Sequence, residues 1–251
     1  MVIYYSQTGQ LKQVVDSLLS PLAADSRFSI DYMELRPAVA YPFPWTRDAF
    51  LDVFPESVLE MPIDLKPFEA DYSGPYDLIV LAFQPWYLSP SLPISAFLKS
   101  PDAAGLLRGS RVVTVIGARN MWVKSLERVE RGVESLGGTL AGNITLTDRA
   151  LNLVSAVTIG YWMFHGKKDR YLGVFPKPGI SDADIDGAAR FGRVLADALI
   201  SGRTDRIGEE LDKLGAAEIN DSLARLENRA KKIFEIWAKL ITKRPGSGVC
   251  C

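Results

Sequence analysis

Two segments of this chain are apolar almost without interruption: Tyr76 to Phe83 (Tyr-Asp-Leu-Ile-Val-Leu-Ala-Phe) and Arg111 to Ile116 (Arg-Val-Val-Thr-Val-Ile). A strand with one face in water alternates apolar and polar residues. A run without alternation belongs to a strand covered on both faces, as in parallel sheets sandwiched between helices. That requirement restricts the chain to an α/β architecture, and the flanking segments agree with it. Val2 to Tyr5 is a β-favouring run, and from Leu11 the period changes: Leu11, Val14, Val15, Leu18 and Leu19 follow one helix face. Ser29 to Leu35 alternates as a second strand, and Thr139 to Leu146 reads as a fifth. Between strands lie a short helix at Ile94 to Ser100 and a longer one at Asn120 to Leu136, closed by Gly137-Gly138. The pattern predicts an open, parallel, five-stranded sheet with helices on both faces and right-handed crossovers.

Composition narrows the function classes. The chain has 251 residues, 47 % of them hydrophobic, and a formal net charge of −1. It is large enough to bury a substantial core, and its balance gives no case for nucleic-acid binding. The two cysteines are Cys250 and Cys251. They offer no disulfide framework, which suits a reducing cytoplasm. The N-terminus enters a strand at once, so no signal peptide is expected, and no apolar run reaches the ~18 residues of a spanning helix. No metal site is expected.

In open α/β sheets, ligands sit beyond the carboxyl ends of the strands. Three loops occupy that position. The first is Ser6, Gln7, Thr8, Gly9, Gln10 and Leu11. It leads into a helix whose first N–H groups lack intrahelical partners and whose dipole is positive, so it is suited to an anion. Ser6 and Thr8 add hydroxyls, and Gly9 permits close backbone approach. The loop is neither Gly-x-Gly-x-x-Gly nor Gly-Lys-Ser/Thr, so a single terminal phosphate, as on flavin mononucleotide (FMN), fits better than a triphosphate or a pyrophosphate. The second loop, Gln84 to Pro93, carries Trp86 and Tyr87 between prolines and offers a backbone wall for a flat aromatic ligand. The third, Gly117 to Trp122, contains Arg119, a permanent cation able to face an anionic ring or a substrate oxygen.

Tyr4-Tyr5-Ser6-Gln7-Thr8-Gly9 resembles the phosphate loop of the flavodoxin-like superfamily. Phe83 to Pro93, with Phe97-Leu98, resembles the second flavin loop of its NAD(P)H:quinone reductase branch, the NAD(P)H-dependent FMN oxidoreductases. More narrowly, Tyr5 to Leu11, Pro42-Phe43-Pro44-Trp45 and Arg119-Asn120-Met121-Trp122 are similar to the dialkylresorcinol-condensing enzymes (aromatases), flavodoxin-like proteins of bacterial aryl-lipid biosynthesis. The superfamily resemblance covers residues 1–147. It implies FMN held by the first loop, by Pro85, Trp86, Tyr87, Leu88 and Ser89, and by Gly117, Ala118, Arg119, Asn120 and Trp122. It also implies hydride exchange with NAD(P)H or a cyclic dione and, in the narrow subgroup, oxidation of an alkylated cyclohexanedione to a resorcinol. Tyr87 and Arg119 are then the candidates to stabilise an enolate oxygen. Two features depart from the pattern. Leu11 stands where a second loop hydroxyl is usual, and the third loop lacks a glycine-rich run.

Residues 148–251 exceed a minimal fold of this kind and read as a helical extension packed on it. Ala150 to Phe164 is strongly apolar and suits a core or interface helix, a membrane surface or a lipid-lined wall. With the aromatic and proline-rich flap at 36–73, it would wall a substrate bearing an alkyl chain. His165, the only histidine, is a candidate acid or base. Near the end, Ile219, Leu223, Leu226, Ala230, Ile233, Trp237 and Leu240 recur as a heptad stripe. Arg225, Arg229, Lys231, Lys232, Lys239, Lys243 and Arg244 make this helix, 219–243, basic. It has three open destinations: its own domain, a homodimer, or an anionic membrane surface. Residues 244–251 form a tail in which Cys250-Cys251 invites comparison with lipidation signals. A flavodoxin-like electron shuttle or a flavin-less binding module is the alternative to an oxidoreductase.

Overall fold

The apolar runs form the centre of a parallel sheet. The computed structural model describes residues 1–70, 72 and 74–242. In chain order its strands are β1 (Val2–Tyr4), β2 (Tyr32–Glu34), β3 (Ile79–Phe83), β4 (Pro85–Trp86), β5 (Ser89–Pro90), β6 (Arg111–Ala118) and β7 (Thr139–Thr147). Five of them make one parallel sheet in the order β2-β1-β3-β6-β7, and β4 and β5 form a separate antiparallel hairpin. This is the flavodoxin-like strand order. Every residue of β1 and β3 is buried, as strands between two helical layers must be.

The helices are α1 (Gln10–Ala23), α2 (Arg47–Leu59), α3 (Leu92–Leu98), α4 (Pro101–Leu107), α5 (Val123–Ser135), α6 (Asn152–His165), α7 (Asp182–Gly187), α8 (Ala189–Ile200), α9 (Ile207–Lys213) and α10 (Asp221–Thr242). Strand side chains alternate between two cores. Val2, Tyr4, Val80 and Ala82 face the layer of α1, α8 and α9, where Leu18, Phe191 and Leu211 are buried. Ile3, Tyr5, Leu81 and Phe83 face the layer of α3, α4 and α5, where Phe97, Leu107 and Val133 are buried. The first core runs continuously across residue 147, because α8 packs on α1 and completes the layer. The expected boundary at 147 is therefore not a boundary in the packing. The helical extension supplies part of the sheet's cover.

Other features of the chain depart from or add to the sequence pattern. Between residues 181 and 201 the chain forms two helices, α7 and α8, with Ser181 Oγ accepting from Asp184 N (3.1 Å) at the start. The hairpin β4–β5 and helix α4 were not anticipated. The heptad stripe of α10 is not its docking face. Leu226, Ile233, Trp237 and Leu240 are exposed, whereas Glu227 and Ala238 are buried. The stripe is offset around the helix because Glu227 fixes the rotation, as described below. Lys243, Arg244 and the Cys250-Cys251 tail lie outside the described residues. No helix among the described residues is long and apolar enough to cross a membrane.

The α1–α8 contact is set by one glycine. A Cβ at Gly192 would lie 1.7 Å from Leu18 O, so the helices meet through bare backbone. Gly192→Ala is expected to force them apart at a cost of about 3 kcal/mol, lowering Tm by roughly 6–12 °C in a thermal melt. An unchanged Tm would contradict this packing.

Candidate functional site

The loops after β1, β3 and β6 converge on one cavity of about 470 Å³ at the carboxyl end of the sheet. From the first loop it is lined by Ser6, Gln7, Thr8, Gln10 and Leu11; from the second by Gln84, Pro85, Trp86, Tyr87 and Leu88; from the third by Gly117, Ala118, Arg119, Asn120 and Met121. The sheet order explains the meeting place. The chain leaves β1 toward β2 on one side and returns to β3 on the other, so the loops after β1 and β3 part and leave a crevice.

Polar side chains hold the loop walls. The Gln84 amide joins the first two loops: oriented to satisfy both groups, its nitrogen donates to Tyr5 O (2.8 Å) and its oxygen accepts from Gln7 N (3.1 Å). Gln7 accepts from the Tyr5 hydroxyl and donates to Pro42 O (3.0 Å), tying the loop to the flap. Gln10 makes a two-way bond with the Ile180 backbone, donating to its O (3.0 Å) and accepting from its N (3.1 Å). All three glutamine side chains are thus committed to the protein itself. What remains toward the cavity is the mouth of α1. Ser6 Oγ accepts weakly from Lys12 N (3.3 Å), Thr8 Oγ1 from Gln10 N (3.4 Å), and the two hydroxyl protons stay free to donate. Leu11 N–H has no partner among the described residues.

The second loop is a tight hairpin turn. Tyr87 (φ 49°) and Leu88 (φ 64°) are both left-handed, a conformation that bulky residues rarely adopt and that ordinarily selects Asn-Gly. Neighbours hold it in place. Trp86 packs edge-on against Tyr5, Tyr41 and Trp45 at 5.8, 5.0 and 5.5 Å between ring centroids. The Tyr87 hydroxyl donates to Phe50 O on α2. Burial raises the pKa of Tyr87, keeping the phenol protonated.

The third loop carries the cavity's charge. Arg119 Nη1 donates to Asn152 O (3.1 Å) and Oδ1 (2.9 Å), and Asn120 Nδ2 donates to the same Oδ1 (2.7 Å). Asn120 Oδ1 is left buried at the wall with no partner. Burial lowers the Arg119 pKa and nearby Asp148 partly restores it, so the guanidinium remains a cation. No carboxylate lines the cavity. Asp148, itself buried, accepts from Ser155 Oγ (2.9 Å) and Gly179 N (3.3 Å), fixing α6 against the loop that closes the floor. Gly179 (φ 83°) admits no side chain, since a Cβ would lie 2.8 Å from Trp162 Cζ3.

The remaining wall is apolar: Phe43, Trp45, Phe50 and Val53 from the flap and α2, Ile159, Trp162 and Met163 from α6, and Ala230 and Phe234 from α10. Sequence reasoning assigned the flap and α6 to a wall. Gln84 was placed in the second loop, while Gly179, Ile180, Ala230 and Phe234 were missed and had no local signal.

Four expected site residues stand off the cavity. Gly9 is exposed at the N-cap of α1 (φ 80°). Ser89 is fully buried and accepts from Arg128 Nη1 (2.9 Å), which also binds Glu60 Oε1 (2.6 Å) and so ties the hairpin to α5 and the end of α2. Trp122 is buried in the α5 core. His165 is exposed at the end of α6, its ring stacked on Tyr161 (5.0 Å). It is not among the residues that line the cavity.

The third loop is anchored from a distance. Glu227 of α10, almost fully buried, accepts from Trp122 N (2.9 Å), Val123 N (3.3 Å) and Lys124 N (2.8 Å), capping α5, whose own N-cap residue offers no side-chain bond.

No protein-family model matches the chain, and no curated protein matches it. Among solved structures it is similar to a flavoprotein of Lactobacillus acidophilus NCFM crystallised in complex with FMN, at 18 % identity over 57 % of this chain and 90 % of that one, TM-score 0.44. It is also similar to candidate flavoproteins of Bacteroides eggerthii (19 % identity, 58 % and 86 % covered, TM-score 0.44) and Bacteroides uniformis (17 %, 65 % and 96 %, 0.44).

The Glu227 cap has a checkable cost. Glu227→Gln sets an amide donor against a backbone donor, and about 1–3 kcal/mol of stability should be lost. Desolvation holds the folded-state pKa of Glu227 above the usual carboxylate value, against the three backbone donors. The native state therefore binds the proton more tightly than the unfolded one. The stabilisation is full below the unfolded pKa and is lost as pH rises through the folded value. Thermal melts should show a wider gap between wild type and Glu227→Gln at pH 5 than at pH 8; a gap that narrows on acidification would contradict this.

Proposed function

We propose that the cavity binds FMN and that the chain is a flavin-dependent oxidoreductase acting on a quinone-like or cyclic dione ring that bears an apolar chain. One observation carries the reading: a helix mouth with a free N–H and two hydroxyls opens into the same cavity as an aromatic hairpin and an orphaned buried acceptor. The first suits a terminal phosphate. The hairpin suits a flat ring, and Asn120 Oδ1 suits a ring imide N–H. No lining residue is a carboxylate, histidine, lysine or cysteine, so the side chains alone offer no general base or activated nucleophile near neutrality.

Bound there, FMN supplies hydride transfer to or from a carbonyl-bearing ring. The protein's own residues bind and orient. The α1 mouth holds the phosphate without a cationic side chain. The left-handed turn at Tyr87-Leu88 presents backbone to the ring. Arg119, with Nη1 committed to Asn152, keeps its other N–H groups for an oxygen that gains negative charge, while the protonated Tyr87 hydroxyl is committed to Phe50 O. The apolar arc from Phe43 to Phe234 excludes water and accepts an alkyl substituent. NAD(P)H as electron source, and the alkylated cyclohexanedione of aryl-lipid biosynthesis as substrate, are the finer proposals that the motif resemblance adds.

Titration of the purified chain with FMN and with riboflavin tests the reading. FMN should bind one per chain and more tightly than riboflavin. Ser6→Ala with Thr8→Val should weaken FMN by about tenfold or more and leave riboflavin unchanged, because only the charge-assisted bonds to phosphate are removed. Absence of binding by either flavin would contradict the proposal. Binding without turnover of NAD(P)H against quinones or cyclic diones would favour a shuttle over an enzyme.

A further inference from the structure

A row of large apolar side chains lies in solvent beside the cavity. On α10, Leu226, Ile233, Trp237 and Leu240 are 45, 53, 57 and 53 % exposed, and Ile236 is 60 % exposed. At 100° per residue the first four fall within about 60° of one another, and Arg225, Arg229, Lys232 and Lys239 fall within an adjacent sector of about 80°. Glu227, Phe234 and Ala238 point the other way, into the protein. The helix therefore has three faces: one docked, one apolar and one basic, with Ile236 inside the basic sector. None of those four cations has an acidic partner within ion-pair distance among the described residues, although the chain as a whole is nearly neutral.

The apolar row borders the cavity. Ala230 and Phe234 line it from α10, and Phe234 touches Phe54 (5.4 Å). Across α2, Phe50 touches Phe164 of α6 (5.4 Å), and α6 in turn leaves Leu153 and Val157 exposed. Helices on both sides of the cavity thus carry apolar side chains in water, where only small patches are usual.

We infer that the outer face of α10 docks on an anionic lipid membrane and brings the cavity's apolar side to the lipid. An amphipathic helix whose apolar row carries a tryptophan and borders a row of Lys and Arg suits the boundary between acyl chains and acidic headgroups. Charge selects this occupant over a second copy of the chain. The outward sector of the helix carries Arg225, Arg229, Lys232 and Lys239 around the exposed Ile236, and a two-fold contact centred there would set those cations against one another. The inference does not rest on the flavin reading, since it concerns neither the α1 mouth nor the hairpin.

Cosedimentation of the full chain with vesicles tests it. Binding is expected to vesicles of phosphatidylcholine with phosphatidylglycerol, and to be much weaker with phosphatidylcholine alone. Each cation near an anionic surface raises partitioning about fivefold, so Arg229→Gln with Lys232→Gln should weaken binding by roughly 25-fold. Ile233→Ser with Trp237→Ser should reduce it to background. All four positions are exposed, so the variants should keep the wild-type circular dichroism and flavin titration. The inference is overturned if anionic vesicles do not bind the chain, if neutral vesicles bind it equally, or if either double variant binds as wild type does. A dimer in sedimentation equilibrium that Trp237→Ser dissociates, without vesicle binding, overturns it in favour of a second copy.

Discussion

The parallel pairing of β1 with both β2 and β3 is the constraint from which the rest follows. A chain that starts in the middle of a sheet and builds first to one side, then to the other, must part the loops that follow its first and third strands. The gap forms at the carboxyl ends, where strand amides run out and helix amides begin. Backbone donors collect there without partners in the sheet, and they attract whatever acceptors the sequence supplies.

Most of those donors are met by side chains reaching across long sequence separations. Gln10 binds Ile180, Asp148 binds Gly179, and Glu227 binds the first turn of α5. Each tie is buried or partly buried, so removing one partner leaves an unsatisfied group away from bulk water. The cavity keeps its shape through these bonds together with its apolar lining. The donor left over at Leu11 and the acceptor left over at Asn120 both belong to residues of its lining.

The sheet was legible because its signals are local. Continuous apolar runs, a change of period at Leu11 and the Gly137-Gly138 stop each follow from neighbours in sequence. The three loops were legible for the same reason, since the strand ends place them. Long-range commitments were not. Gln7 and Gln10 looked like ligand groups, but their amides face Pro42 and Ile180, 35 and 170 residues away in sequence. Ser89 and Trp122 belonged to the right loops and turned inward. The stripe on α10 fitted helix periodicity, yet its orientation depends on where Glu227 finds three amides, which periodicity does not record. The two left-handed residues Tyr87 and Leu88 lack the Asn-Gly signature of their turn, and only the aromatic packing around Trp86 explains why they are tolerated.

The central claim is that these parted loops form one ligand site with an anion end and a ring end. A crystal structure of the chain grown with FMN tests it most directly. The account predicts the phosphate within hydrogen-bond distance of Leu11 N and the Ser6 and Thr8 hydroxyls, with the ring between the Trp86–Leu88 turn and Asn120. FMN bound elsewhere, or with its phosphate directed toward α6 and α10, would contradict it.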